Sequence, residues 1–113
     1  MKPTAPLETG LTDRAGGSVF TGARAHFCAA HIDDRGRLHG HTWRVRAVWP
    51  FAGENAMDRQ ASLIAALADF DHAKLPDGLR LAETLAALIG ARLGAVRVDV
   101  WRDAENLGAT WRA

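Results

Sequence analysis

Three of the five histidines of this chain fall within eleven consecutive residues, His31 to His41, written HIDDRGRLHGH. His39 and His41 are two apart, so on a strand they share a face. The intervening stretch is polar and carries Gly36 near its middle, which reads as a hairpin connection. A hairpin roughly symmetric about Arg35 sets His31 opposite His39 on adjacent strands, at cross-strand contact distance. Three imidazoles then converge, the donor set of a catalytic zinc with an open fourth position. The competing reading is three partly buried polar residues with no ligand. Gly40, an interior strand glycine, marks a point of close backbone or ligand approach.

The flanks of this stretch give its strands. Val19 to His31 alternates loosely and forms strand one, with Ala25, Phe27, Ala29 and His31 in one phase. In residues 41–51, His41, Trp43, Val45, Ala47 and Trp49 share one face, and Thr42, Arg44 and Arg46 the other. That is a half-buried antiparallel strand, closed by Pro50 and Gly53. The histidine face is therefore also the apolar face, so the histidines end a buried layer. Cys28 points the other way and reads as a small apolar residue rather than a reactive thiol.

Residues 54–59 read as a turn with Asp58 as helix cap. From Gln60 to Phe70, Leu63, Ile64, Leu67 and Phe70 stand at helical spacing. Asp71 and His72 follow, before the Pro76-Asp77-Gly78 break. A second helix runs from Leu81 to Leu93, with Leu81, Leu85, Leu88, Ile89 and Leu93 inward and Gly94 as C-cap. Val96 to Trp101 is a third main strand. Asp103 to Leu107 with Gly108 is a turn, and Ala109 to Arg112 a last short strand. The order ββααββ implies an α+β fold, an antiparallel sheet with two helices on one face. Residues 1–16, rich in Pro, Thr and Gly, read as a flexible lead-in or edge strand. At 113 residues the chain reads as one domain, 1–113.

Fourteen basic and thirteen acidic residues leave a formal charge of +1, which gives no reason to expect nucleic acid or a membrane surface as partner. The N-terminus lacks a signal-peptide core, and no apolar run is long enough to span a bilayer. One cysteine excludes an internal disulfide and fits a reducing compartment, so a cytoplasmic protein is expected. Four Trp and four Phe in so short a chain would be better covered in an oligomer.

Asp71 and His72 admit two readings: a carboxylate orienting an imidazole for acid–base work, or a solvated helix end. Glu83 stands in the first turn of helix two, where it stabilises the helix dipole. Glu54, Glu105 and Asp103 fall in turns, where carboxylates are ordinary.

Three segments taken together resemble a known family. Phe27-Cys28-Ala29-Ala30-His31, then Leu38-His39-Gly40-His41-Thr42-Trp43, then Asp71-His72-Ala73-Lys74-Leu75 look like the 6-pyruvoyltetrahydropterin synthase family, which includes the 6-carboxytetrahydropterin synthases of queuosine biosynthesis. Glu83-Thr84-Leu85-Ala86 resembles the start of its second helix, and the resemblance covers roughly residues 18–112. It implies a T-fold whose sheets join into an oligomeric barrel, trimers stacking into a homohexamer. It implies that His31, His39 and His41 hold Zn2+ and that Asp71 and His72 are catalytic. It implies a lyase acting on 7,8-dihydroneopterin triphosphate, or on a related small pterin-like or anionic compound.

Two positions depart from the pattern. The family's catalytic cysteine, four residues before the first His of His-Gly-His, is here Arg35. A guanidinium stays protonated and cannot replace a thiolate base. The family's pterin-anchoring glutamate is here Arg102, a donor-only cation in place of an acceptor. Both changes favour an anionic ligand and count against the usual chemistry. The alternatives are a non-catalytic zinc-binding T-fold oligomer and an unrelated three-histidine zinc hydrolase with Asp58 and Asp71 as candidate bases.

Overall fold

A computed structural model describes residues 11–12, 17–33, 35–79 and 81–113. The readings of residues 1–10 and 13–16 lie outside these; Leu11–Thr12 forms the edge strand β1. The remaining elements are β2 (Ser18–Ile32), β3 (Leu38–Pro50), α1 (Ala56–Leu67), β4 (Ala73–Lys74), α2 (Ala82–Leu93), β5 (Arg97–Arg102) and β6 (Leu107–Arg112). The sheet order is β1-β2-β3-β5-β6, antiparallel throughout. β4 adds to the other end of β2 in parallel, which makes the sheet mixed.

The hairpin has the expected register: His31 pairs with His39, and Ala29 with His41. Gly36, at φ 76°, makes the tight turn, and Asp33 N–H donates to the Arg37 carbonyl at 2.8 Å to close it. Alternation then sorts the residues. Phe27, Ala29, His31, Trp43, Val45, Ala47 and Trp49 are buried under the helices with Val98 and Val100 of β5. Arg24, Cys28, Arg44, Arg46 and Trp101 project from the helix-free face. Leu63 and Leu67 of α1 and Leu85, Ala86 and Ile89 of α2 complete the core.

Several boundaries move. Helix α1 begins at Ala56 because Asn55, not Asp58, caps it: the Asn55 side chain accepts the Met57 N–H at 2.8 Å. Asp58 falls in the first turn instead. The helix ends at Leu67, so Phe70 is buried from the following turn rather than from the helix. Ile64 is 53% exposed, because at 100° per residue the core line passes through Leu63 and Leu67. Leu81 is the N-cap of α2 and 43% exposed, outside the packed face. Gly94 caps α2 at φ 61° as expected. Gly108 belongs to β6 rather than to a turn; the reversal is made by a 3-10 turn at Asp103–Glu105 and by Asn106 at φ 55°. No helix among the described residues is long and apolar enough to cross a membrane.

Candidate metal centre

The β2–β3 register brings the three hairpin histidines to one end of the core. Ring centroids lie 4.7 Å apart for His31 and His41, 5.8 Å for His39 and His41, and 6.3 Å for His31 and His39. Three imidazoles on one tetrahedral zinc would place ring centres roughly 5 Å apart, so the spacing brackets that value. The floor beneath them is Trp43, whose ring meets His31 edge-on at 5.3 Å and His41 at 5.8 Å. Trp43 is held by stacking on Phe27 and by its indole N–H, which donates to the Ala29 carbonyl at 3.2 Å.

Both ring nitrogens of His41 are buried and make no hydrogen bond. Native interiors rarely leave such groups unpaired, so these atoms suit a ligand. Neutral imidazole is the donor that zinc prefers among side-chain nitrogens. The donor atoms nonetheless do not converge: among the described residues no three His, Cys, Asp or Glu side chains stand in metal-holding geometry. His39 Nε2 lies 2.9 Å from Asp33 Oδ2. Asp33 is itself fixed, accepting the Arg35 and Arg37 N–H groups through Oδ1. These bonds, the Arg37 one foremost, hold its carboxyl below the usual range.

Burial holds the His41 imidazole below its usual pKa; the Glu105 carboxylate opposes this. The linkage follows directly. The neutral, buried His41 contributes stability that is full above the ordinary value near 6.5 and is lost as pH falls through the lowered folded value. Metal-free protein should therefore show a urea midpoint that declines on acidification from pH 7 toward 5.5, with a smaller decline in His41→Gln. Equal declines in the two proteins would refute this account.

Two carboxylates stand near the histidines. Asp33 at His39 has no signal in the sequence. Glu105, which with Asp103 is the sequence's candidate substitute for the glutamate missing at Arg102, is the other: Oε1 stands 3.8 Å from His41 Nε2 and 3.0 Å from Arg102 Nε. The Arg102 contact is ionic rather than a well-aligned hydrogen bond, since Nε has no partner of good geometry. The Arg102 guanidinium also lies 5.9 Å over the Trp43 ring. The sequence signal for Glu105 is its place three residues after Arg102, and it does not say which way the carboxylate faces.

Asp71 and His72 form a built pair. Asp71 accepts the Cys28 N–H through Oδ1 at 3.0 Å, and its Oδ2 lies 3.0 Å from His72 Nδ1. The Cys28 N–H is the main reason its carboxyl sits below the usual range. His72 N–H donates to the Cys28 carbonyl at 2.6 Å, with His72 held at φ 57°. The pair lies across β2 from the hairpin histidines: Ala29 faces His41 on one side and Ala73 on the other, a span of about 10 Å. An open cleft of about 900 Å³ joins the two regions, lined by His41, Thr42, Cys28, His72 and Lys74. Cys28 is exposed on the helix-free side as strand parity requires, its Sγ 3.7 Å from Thr42 Oγ1, yet it borders this cleft. Asp58 lies in the first turn of α1. Arg35 is exposed in the hairpin.

Among solved structures, the chain is similar to that of Caenorhabditis elegans 6-pyruvoyl tetrahydropterin synthase, with a TM-score of 0.61 over 84% of this chain and 95% of that one. The two are 15% identical, so the likeness is one of fold. No family model matches the chain. No curated protein matches it either.

Proposed function

We propose that this T-fold protein binds one Zn2+ through His31, His39 and His41 and acts as a pterin synthase-like lyase on a small anionic compound, with 7,8-dihydroneopterin triphosphate the first candidate. The observation that carries this is the meeting of three histidine rings at the end of the core, with both His41 nitrogens unsatisfied. When bound, zinc would polarise a substrate hydroxyl or carbonyl. Asp33, by keeping its bond to His39 Nε2, would orient that ring and leave Nδ1 as its ligand atom. Asp71, accepting from His72 Nδ1–H, fixes the tautomer and leaves Nε2 to take or give a proton in the cleft. Glu105 supplies a carboxylate near His41, where Arg102 breaks the family pattern.

The span across β2 calls for a neighbouring subunit to complete the site. Among the described residues, β6 and the stretch of β2 between its β1 and β4 pairings have no strand on their outer side. Joining them between copies would continue the sheet into a closed barrel, consistent with a homohexamer. The reducing-compartment signal of a single cysteine supports a cytoplasmic setting. The second reading, a non-catalytic zinc-binding oligomer, is favoured by Arg35 at the position of the catalytic thiol.

Elemental analysis of the purified protein should find about one zinc per chain, and His39→Ala should lose nearly all of it. Unchanged zinc in His39→Ala would refute the ligand set. Zinc-loaded protein should release triphosphate from 7,8-dihydroneopterin triphosphate, with Asp71→Asn slower by about 100-fold or more. Full zinc content without turnover would select the scaffold reading.

A further inference from the structure

The helix-free face of the sheet carries charge that the proposed chemistry does not use. Arg24 of β2 pairs in register with Arg46 of β3, and His26 with Arg44. On the far side of the sheet Arg97 of β5 pairs with Arg112 of β6. Cross-strand partners stand about 5 Å apart, where like charges destabilise a sheet. Two carboxylates offset part of this. Asp99 takes Arg97 at 3.2 Å and Arg46 at 3.9 Å, and Asp103 takes Arg44 at 2.5 Å. Both acids lie on the β5 side. On the β2 side, His26 borders Asp71, and Arg24 is in no ion pair with another described residue. The positive charge is thus concentrated over the β2–β3 hairpin. A cleft of about 520 Å³ opens there, lined by Arg24, His26, Arg44 and Arg46, with Trp101 at its β5 wall.

We propose that this cleft is an anion site that takes a polyphosphate group between Arg24, His26, Arg44 and Arg46. Guanidinium groups bind phosphate oxygens in two-point fashion, and three of them with an imidazole match an anion with several oxygens. The occupant is compact rather than an extended polyanion, because Asp99 and Asp103 line the cleft's β5 side and repel one. An anion there relieves the Arg24–Arg46 like-charge pair. The site is independent of the zinc reading: its residues point away from the face that carries His31, His39 and His41.

The test is calorimetric titration of full-length protein with inorganic triphosphate at low salt, without divalent cations. One triphosphate should bind per chain, and Arg24→Ala should weaken it by about tenfold or more. The same substitution should leave the urea midpoint of ligand-free protein unchanged or higher, since it removes one like-charge pair. His39→Ala, which tests the metal centre, should keep triphosphate binding. ATP should compete for the site through its phosphates and lose affinity in parallel in Arg24→Ala. The proposal fails if wild type binds no triphosphate, if Arg24→Ala binds it as well as wild type, or if His39→Ala abolishes binding. ATP binding that survives Arg24→Ala also overturns it.

Discussion

Trp43→Ala should lower the unfolding free energy of metal-free protein by about 3–5 kcal/mol. The indole is fully buried, stacks on Phe27 with rings 1° from parallel at 6.0 Å, and supports His31 and His41 edge-on. Truncation removes that packing and also the indole N–H bond to the Ala29 carbonyl. Trp43→Phe separates the two effects: it keeps most of the apolar contact and should lose only about 1–2 kcal/mol. Urea denaturation at pH 7.5 in the presence of a chelator measures both. A loss below about 1.5 kcal/mol for Trp43→Ala would mean the floor of the histidine cluster relaxes freely, contrary to its packing.

The second large effect is expected at Gly90, in the last turn of α2. A β-carbon built there would lie 2.2 Å from Cζ3 and 2.3 Å from Cε3 of Trp111, so the helix meets β6 only because this position has no side chain. Gly90→Leu should destabilise by about 3 kcal/mol, since overpacking outweighs the helix-propensity gain of about 1 kcal/mol. In a Trp111→Ala background the added side chain has room. There the same substitution should be neutral or stabilising, a coupling energy of about 3 kcal/mol by double-mutant cycle. Additive losses would show that Trp111 swings away from α2 in solution.

The hairpin was legible for a physical reason. Side chains alternate with period two along a strand, and a short polar turn leaves few registers, so His31 opposite His39 followed from spacing. The burial of the histidine face followed from the same alternation, because His41 shares parity with Trp43, Val45 and Ala47. Helix ends were less legible. Asn55 and Asp58 are both good caps, and which one accepts an N–H depends on where the chain leaves Pro50. The parallel pairing of β4 was invisible, because two residues carry no periodicity. What places them is the carbonyl and N–H of Cys28, engaged by His72 and Asp71.

By itself the sequence determined an α+β sandwich, a β2–β3 hairpin and three histidines at the end of a buried layer, since all of these rest on local periodicity and turn chemistry. Only the tertiary structure decided which charges meet. The Asp33 side chain turns onto His39, and a 3-10 turn swings Glu105 to His41 while sending Asp103 to Arg44 on the opposite face. The excess of guanidinium groups on the helix-free face likewise depends on the pairing of β3 with β5 and of β5 with β6. Such contacts join residues far apart in the chain, and strand periodicity is blind to them because it reports the face a side chain takes, not the neighbour it finds there.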